Sequence, residues 1–158
     1  MALLRLSVPQ QRLYVYINRE LSCSFAVSTA KAGVGQQQGS WQTPSGWHVV
    51  RAKIGDSVPD NTVFEARRPS GLYDASVDDC YSRDWILSRI IWLSGLEVGH
   101  NRLGSVDTMQ RYIYMHGSPV PIDGQPRSHG CIRLNCVDIV VLYEHVSVGD
   151  RVFIDQDE

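Results

Sequence analysis

The run RLYVYIN (12–18), followed by SCSFAVST (22–29), decides the fold class. Leu13, Val15 and Ile17 alternate with Tyr14 and Tyr16, the period of two that marks a half-buried strand. Asn18 and Arg19 supply a turn that brings the second run back beside the first, so the pair is expected to form a β-hairpin. Next comes AGVGQQQGSWQTPSG (32–46), rich in Gly, Gln and Ser and without apolar periodicity. It is a long loop, a class of segment that is usually functional or mobile. WHVVRAKIG (47–55) and TVFEARR (62–68) are further short strands, parted by turn residues around Pro59, Asp60 and Asn61. WILSRIIWL (85–93) is apolar almost throughout, which fits a buried strand but does not separate it from a short helix. RYIYMHG (111–117) is a β-rich run ending in glycine. Asn135 is placed to cap a helix with Cys136, Ile139, Val140 and Tyr143 on one face, and RVFID (151–155) is a last strand. Many short strands, one helix and long loops predict a mainly-β fold. With no internal repeat or linker visible, residues 1–158 are expected to be one domain.

Composition narrows the function classes. The chain is 43% hydrophobic and 20% charged, with a formal net charge of -2. This is the balance of a globular protein without a basic footprint, so neither nucleic acid nor an anionic membrane surface is expected as partner. In MALLRLSVPQ, Arg5 and Pro9 interrupt an apolar run too short for a secretion signal, and no segment approaches the roughly 18 apolar residues of a membrane span. The expected location is therefore the cytoplasm, or the periplasm if a leader has been removed. Cys23, Cys80, Cys131 and Cys136 form no CxxC pair and are expected as free thiols.

Chemistry gathers between positions 115 and 135, MHGSPVPIDGQPRSHGCIRLN. A thiol with an ordinary pKa near 8.5 is mostly protonated at pH 7, so a nucleophilic cysteine needs a nearby imidazole or helix N-terminus. His116, at the end of a strand, and the helix after Asn135 offer both to Cys131, which on this reading ionises well below pH 8. Gly130 permits a sharp turn that aims the amides of Gly130 and Cys131 at one oxyanion. Arg133 shares the face of Cys131 if the chain is extended there, and its guanidinium suits a substrate carboxylate. The chemical rival is a metal site of His116, His129, Cys131 and Cys136, whose spacing does not fit the paired ligands of structural zinc.

These residues resemble the L,D-transpeptidase (YkuD-type) catalytic domain of bacteria. Its signature is a strand ending in His-Gly, a variable loop, then Ser-His-Gly-Cys followed by Arg or Asn. Here the pattern is YIYMHGS (112–118) and SHGCIRL (128–134). AVSTAKAGVG and GSWQTPSGWHVV look like the family's early strand and Thr-Pro-x-Gly loop, and VGDRVFI like its closing strand. The resemblance implies a mainly-β, mixed-sheet domain with long loops and a short helix after the catalytic cysteine. It implies Cys131 as nucleophile and His116 as general base, the latter oriented by a carbonyl near Gly117. His129 would be a supporting histidine and Ser128 a polar neighbour shaping the pocket. Gly130 and Cys131 would supply oxyanion amides, and Arg133 would grip the substrate carboxylate. No metal or organic cofactor is implied, and no obligate protein partner. The implied substrate is a peptidoglycan stem tetrapeptide or muropeptide. Release of its terminal D-Ala to water would make the protein an L,D-carboxypeptidase of murein recycling, and capture by an amine a cross-linking L,D-transpeptidase. A silent peptidoglycan-binding domain is a further reading, against which the intact Cys131 and His116 argue.

Overall fold

In the computed structural model, which describes residues 1–158, Asn18 and Arg19 take φ of 52° and 69°, the paired positive angles of a tight hairpin turn. They join β2 (Arg12–Ile17) to β3 (Glu20–Ala26). On the other side β2 pairs with β1 (Ala2–Ser7), a strand the sequence reading does not contain. Its alternation is real, with Ala2, Leu4 and Leu6 buried, but Leu3 on the outer face hides it.

The remaining strands are β4 (Gly46–Ile54), β5 (Thr62–Glu65), β6 (Arg68–Leu72), β7 (Leu87–Gly95), β8 (Tyr114–Ser118), β9 (Ile132–Asn135) and β10 (Arg151–Asp155). One helix, α1 (Cys136–His145), follows β9 directly. The sheet runs β3-β2-β1-β10-β4-β7, and β7 carries both the β5–β6 hairpin and the β8–β9 pair. β1–β10 and β8–β9 are parallel and the other pairs antiparallel, so the sheet is mixed. Just past β3, Ser28 and Arg133 exchange both backbone hydrogen bonds at 2.9 Å, so the sheet curls until its far edge meets β9. That contact covers the outer edge of β9, which would otherwise present unpaired backbone groups.

Three readings of the sequence change here. TVFEARR is not one strand: Ala66 and Arg67 take positive φ and split it into β5 and β6. The β-run at 111–117 begins as a turn and becomes strand only at Tyr114. Asn135 stands at the N-cap of α1, but its side chain makes no capping hydrogen bond. The helix instead owes its place to Ile139, Leu142 and Tyr143, buried against β7 and β8. WILSRIIWL is a strand, and its lack of alternation follows from burial on both faces between β4 and β8. Leu4, Leu6, Leu13, Leu93, Met115, Ile132, Leu134 and Leu142 meet in one core and are fully buried, each contributing about 1.5–3 kcal/mol by leaving water.

Candidate active site

The parallel pairing of β8 with β9 sets Met115 beside Ile132, His116 beside Arg133 and Gly117 beside Leu134. Side chains alternate along a strand. Met115, Ile132 and Leu134 point into the core, so Tyr114 and His116 share the opposite face with Cys131 and Arg133. The sequence separates His116 from Cys131 by a proline-rich loop, and strand register brings them back as diagonal neighbours. Ser28 moors that loop: its hydroxyl donates to Gln125 O at 2.8 Å and accepts from the Arg127 amide at 2.9 Å.

His116 is completely buried. Its Nδ1 lies 2.8 Å from Gly117 O, and a carbonyl can only accept, so Nδ1 carries the proton and Nε2 presents a lone pair. That Nε2 has no hydrogen-bond partner. Burial lowers the pKa of the imidazole below its ordinary 6.5, against the opposing pull of the Gly117 bond. Glycine at 117 is a matter of space. A Cβ there would stand 2.7 Å from Leu87 O on the neighbouring strand.

Cys131 is half-buried, and its sulfur donates to Tyr112 O at 3.3 Å while accepting from the Tyr114 amide at 3.4 Å. The resting thiol is therefore held by the backbone leading into β8 rather than by His116. β9 stands between Cys131 and α1, and its four residues are about 13 Å of extended chain. The expected help from the helix is absent for that reason. Burial pushes the thiol pKa up to about 12, so the resting pair is neutral thiol and neutral imidazole, not the acidified thiolate expected from the sequence.

The turn around Gly130 is braced from three sides. Ser128 is buried and its hydroxyl donates to Cys131 O at 2.5 Å while accepting from the Gly130 amide at 3.2 Å. Gly130 adopts φ +128°, where side chains are strained, and a Cβ would meet Gln42 O at 3.3 Å. Thr43, fully buried, donates to Gly130 O at 2.8 Å and accepts from the Ala30 amide at 2.9 Å. The Gly130 amide expected at an oxyanion is thus committed to Ser128. The Cys131 amide has no protein acceptor and is left for one. His116, His129, Cys131 and Cys136 do not converge as a ligand set, and Cys136 Sγ donates instead to Ser118 O.

A family model described as the L,D-transpeptidase catalytic domain, YkuD, matches residues 2–154. The chain belongs to this family. Among solved structures it is similar to an L,D-transpeptidase from Mycobacterium smegmatis, with TM-score 0.58, 19% identity and coverage of 98% of this chain and 58% of that one. L,D-transpeptidase 3 from Mycobacterium tuberculosis, in complex with a faropenem-derived adduct, gives TM-score 0.62 at 16% identity, with coverage of 98% and 60%. An L,D-transpeptidase from Xylanimonas cellulosilytica gives 0.56 at 16%, with coverage of 97% and 59%. At these identities the likeness is one of fold, and the chain spans about three fifths of the length of those proteins. No curated protein matches it.

In this YkuD domain Arg133 is not a free carboxylate grip. Its side chain is 8% exposed and donates to Asp84 at 2.8 Å, with Nε buried and unpartnered. The other oxygen of Asp84 lies 3.5 Å from Nδ1 of the exposed His129, whose ring meets the Trp41 ring edge-on at 5.5 Å. Asp84 escapes a sequence reading because it is one of several aspartates in a loop without periodicity. Arg111 escapes it too, hidden at the start of an apparent strand. It donates to Gly35 O, Gln36 O, Ser40 Oγ and Gln42 O, which fastens the 32–46 loop beside the cysteine. His100 pairs with Ser45, and Asp107 holds the turn at Leu103 and Gln110. Tyr112 supplies the carbonyl that holds the thiol, and the Tyr114 hydroxyl accepts from Arg67.

Proposed function

We propose that this domain catalyses cysteine-dependent acyl transfer on peptidoglycan stem peptides, with water as acceptor, as an L,D-carboxypeptidase. The observation that carries the reading is the unpartnered Nε2 of His116, a buried lone pair whose tautomer is set by Gly117 O, on the strand face that also bears Cys131. As Sγ of Cys131 bonds to the carbonyl carbon before the terminal D-Ala, its proton passes to Nε2. The carbonyl oxygen becomes an oxyanion facing the Cys131 amide. The imidazolium then gives that proton to the departing amine as the C–N bond breaks, leaving a thioester on Cys131. Water, deprotonated by the now neutral His116, adds to the thioester carbonyl. The C–S bond breaks, the proton returns to the thiol, and a tripeptide is released.

The high thiol pKa fits this order of events, because proton removal is coupled to attack and no thiolate stands exposed beforehand. Hydrolysis of soluble fragments, with the cytoplasm as its setting, is part of the same proposal. Incubation with a disaccharide tetrapeptide, followed by mass spectrometry, tests the acceptor. Loss of one alanine without dimers is the expected result. Cross-linked dimers, or exchange of an added D-amino acid, would assign the domain to cross-linking.

A further inference from the structure

Arg133 and Asp84, charged side chains beside the reacting pair, have no part in the chemistry just described. Arg133 stands directly across from His116 on β9, buried, with only Asp84 to balance it. Asp84 comes from the loop between β6 and β7 and reaches over the Cys131 turn to both Arg133 and His129. The charged groups facing His116 are thus Asp84 and Arg133. Those facing Cys131 are the same two and Arg111, with Tyr114 on the same face, its hydroxyl held by Arg67 of the β5–β6 turn.

Acylation creates a positive charge in this setting, since His116 becomes imidazolium when it takes the thiol proton. A lone buried guanidinium on the adjacent strand would oppose that charge at short range, where little water screens it. It would also favour the Cys131 thiolate over the neutral thiol from which attack begins. Asp84 removes both effects by pairing with Arg133.

We propose that Asp84 is a positioning residue for acyl transfer: it fixes Arg133 and His129 about the Cys131 turn and cancels the Arg133 charge, so that the imidazolium on His116 forms beside a neutral pair. This rests on the acyl-transfer reading above, and its test reads the site separately from that reading. Replacing Asp84 by Asn keeps the shape and leaves Arg133 uncompensated. Two quantities then move in opposite directions. Alkylation of Cys131 by iodoacetamide, followed by peptide mass spectrometry so that Cys23, Cys80 and Cys136 are scored apart, becomes about tenfold faster at a given pH below the thiol midpoint, a downward shift of about one pH unit. Turnover of the tetrapeptide falls by about tenfold or more, chiefly in kcat. In the double variant Asp84→Asn/Arg133→Met both charges are gone, the alkylation profile returns toward that of the unaltered protein, and part of the turnover recovers. Asp84→Glu retains the compensation and most of the activity.

An alkylation profile of Asp84→Asn that overlays the parent, or a double variant no better than Asp84→Asn alone, overturns the proposal. So does Asp84→Asn accelerating the alkylation of all four cysteines together, which is loss of fold. If Asp84→Asn does not fold, the double variant and Asp84→Glu decide, since lost activity in a folded Asp84→Glu contradicts charge compensation. Should the unaltered protein leave the tetrapeptide intact while the alkylation shift persists, the substrate reading fails and the charge relation at the site stands.

Discussion

Thr43→Val is the substitution whose effect follows most directly from the geometry. Valine has nearly the shape of threonine, so the change removes one hydroxyl and leaves the surrounding packing in place. That hydroxyl serves two buried backbone groups: it donates to Gly130 O at 2.8 Å and accepts from the Ala30 amide at 2.9 Å. Neither group has another partner. Leaving a buried polar group unpaired costs about 1–3 kcal/mol, so two of them cost about 2–6 kcal/mol, a large part of an ordinary domain stability. For a chain of 158 residues this corresponds to a fall in Tm of roughly 4–24 °C. The same change frees the carbonyl side of the Gly130–Cys131 peptide, whose amide faces the oxyanion, so kcat should fall by about tenfold or more even at temperatures where the variant is folded. Differential scanning calorimetry measures the first quantity and tetrapeptide turnover the second. Thr43→Ser, which keeps the hydroxyl, should stay within about 1 kcal/mol of the parent. A Thr43→Val melting temperature within 1–2 °C of the parent would refute the reasoning, because the turn would then not depend on that bond.

Other consequences are as specific. His116→Gln should lower turnover by at least about 10² while preserving the fold, as judged by near-ultraviolet circular dichroism; an unchanged rate would move the base to another group. Arg111→Ala removes four hydrogen bonds from the 32–46 loop, so thermolysin should cut that loop at least about tenfold faster, and equal cutting would show that the loop is held by something else. Burial lowers the pKa of His48 from 6.5 to about 4, the ring being enclosed between Gly46 O and the Thr108 hydroxyl. The unfolded chain therefore binds more protons than the folded one between those values. Stability is full above about pH 6.5 and declines as the pH falls through the window to about 4, by about 3 kcal/mol. Urea titrations at pH 7 and pH 4.5 measure this, and a midpoint that does not fall, or a His48→Gln variant with the same decline, would contradict it.

Local signals told most of the fold. Alternation located β2, the turn at Asn18 and Arg19 placed β3 beside it, and a short apolar run located β7. β1 carries alternation as clear as that of β2 in its burial, yet Leu3, on the outer face, looks like any core leucine in the sequence. β6 is exposed throughout and has no pattern to detect. The site divides in the same way. His116, Ser128, Gly130 and Cys131 lie in short motifs whose spacing is itself a signal. Asp84 and Arg111 reach the site through contacts distant in sequence, and only the folded chain shows that one balances Arg133 and the other fastens the loop. Arg133 illustrates the limit of reading a residue type alone. A guanidinium near a nucleophile suggests a carboxylate ligand, and it has one, but that ligand is Asp84.

The account stands on Cys131 forming a covalent acyl intermediate. A brief exposure of the protein to a disaccharide tetrapeptide, followed by acid quenching and peptide mass spectrometry, measures this directly. The prediction is one acyl group per chain, on the peptide bearing Cys131, and none on a Cys131→Ala variant. Alanine released with no adduct on Cys131, or an adduct on Cys23, Cys80 or Cys136 in its place, would contradict it.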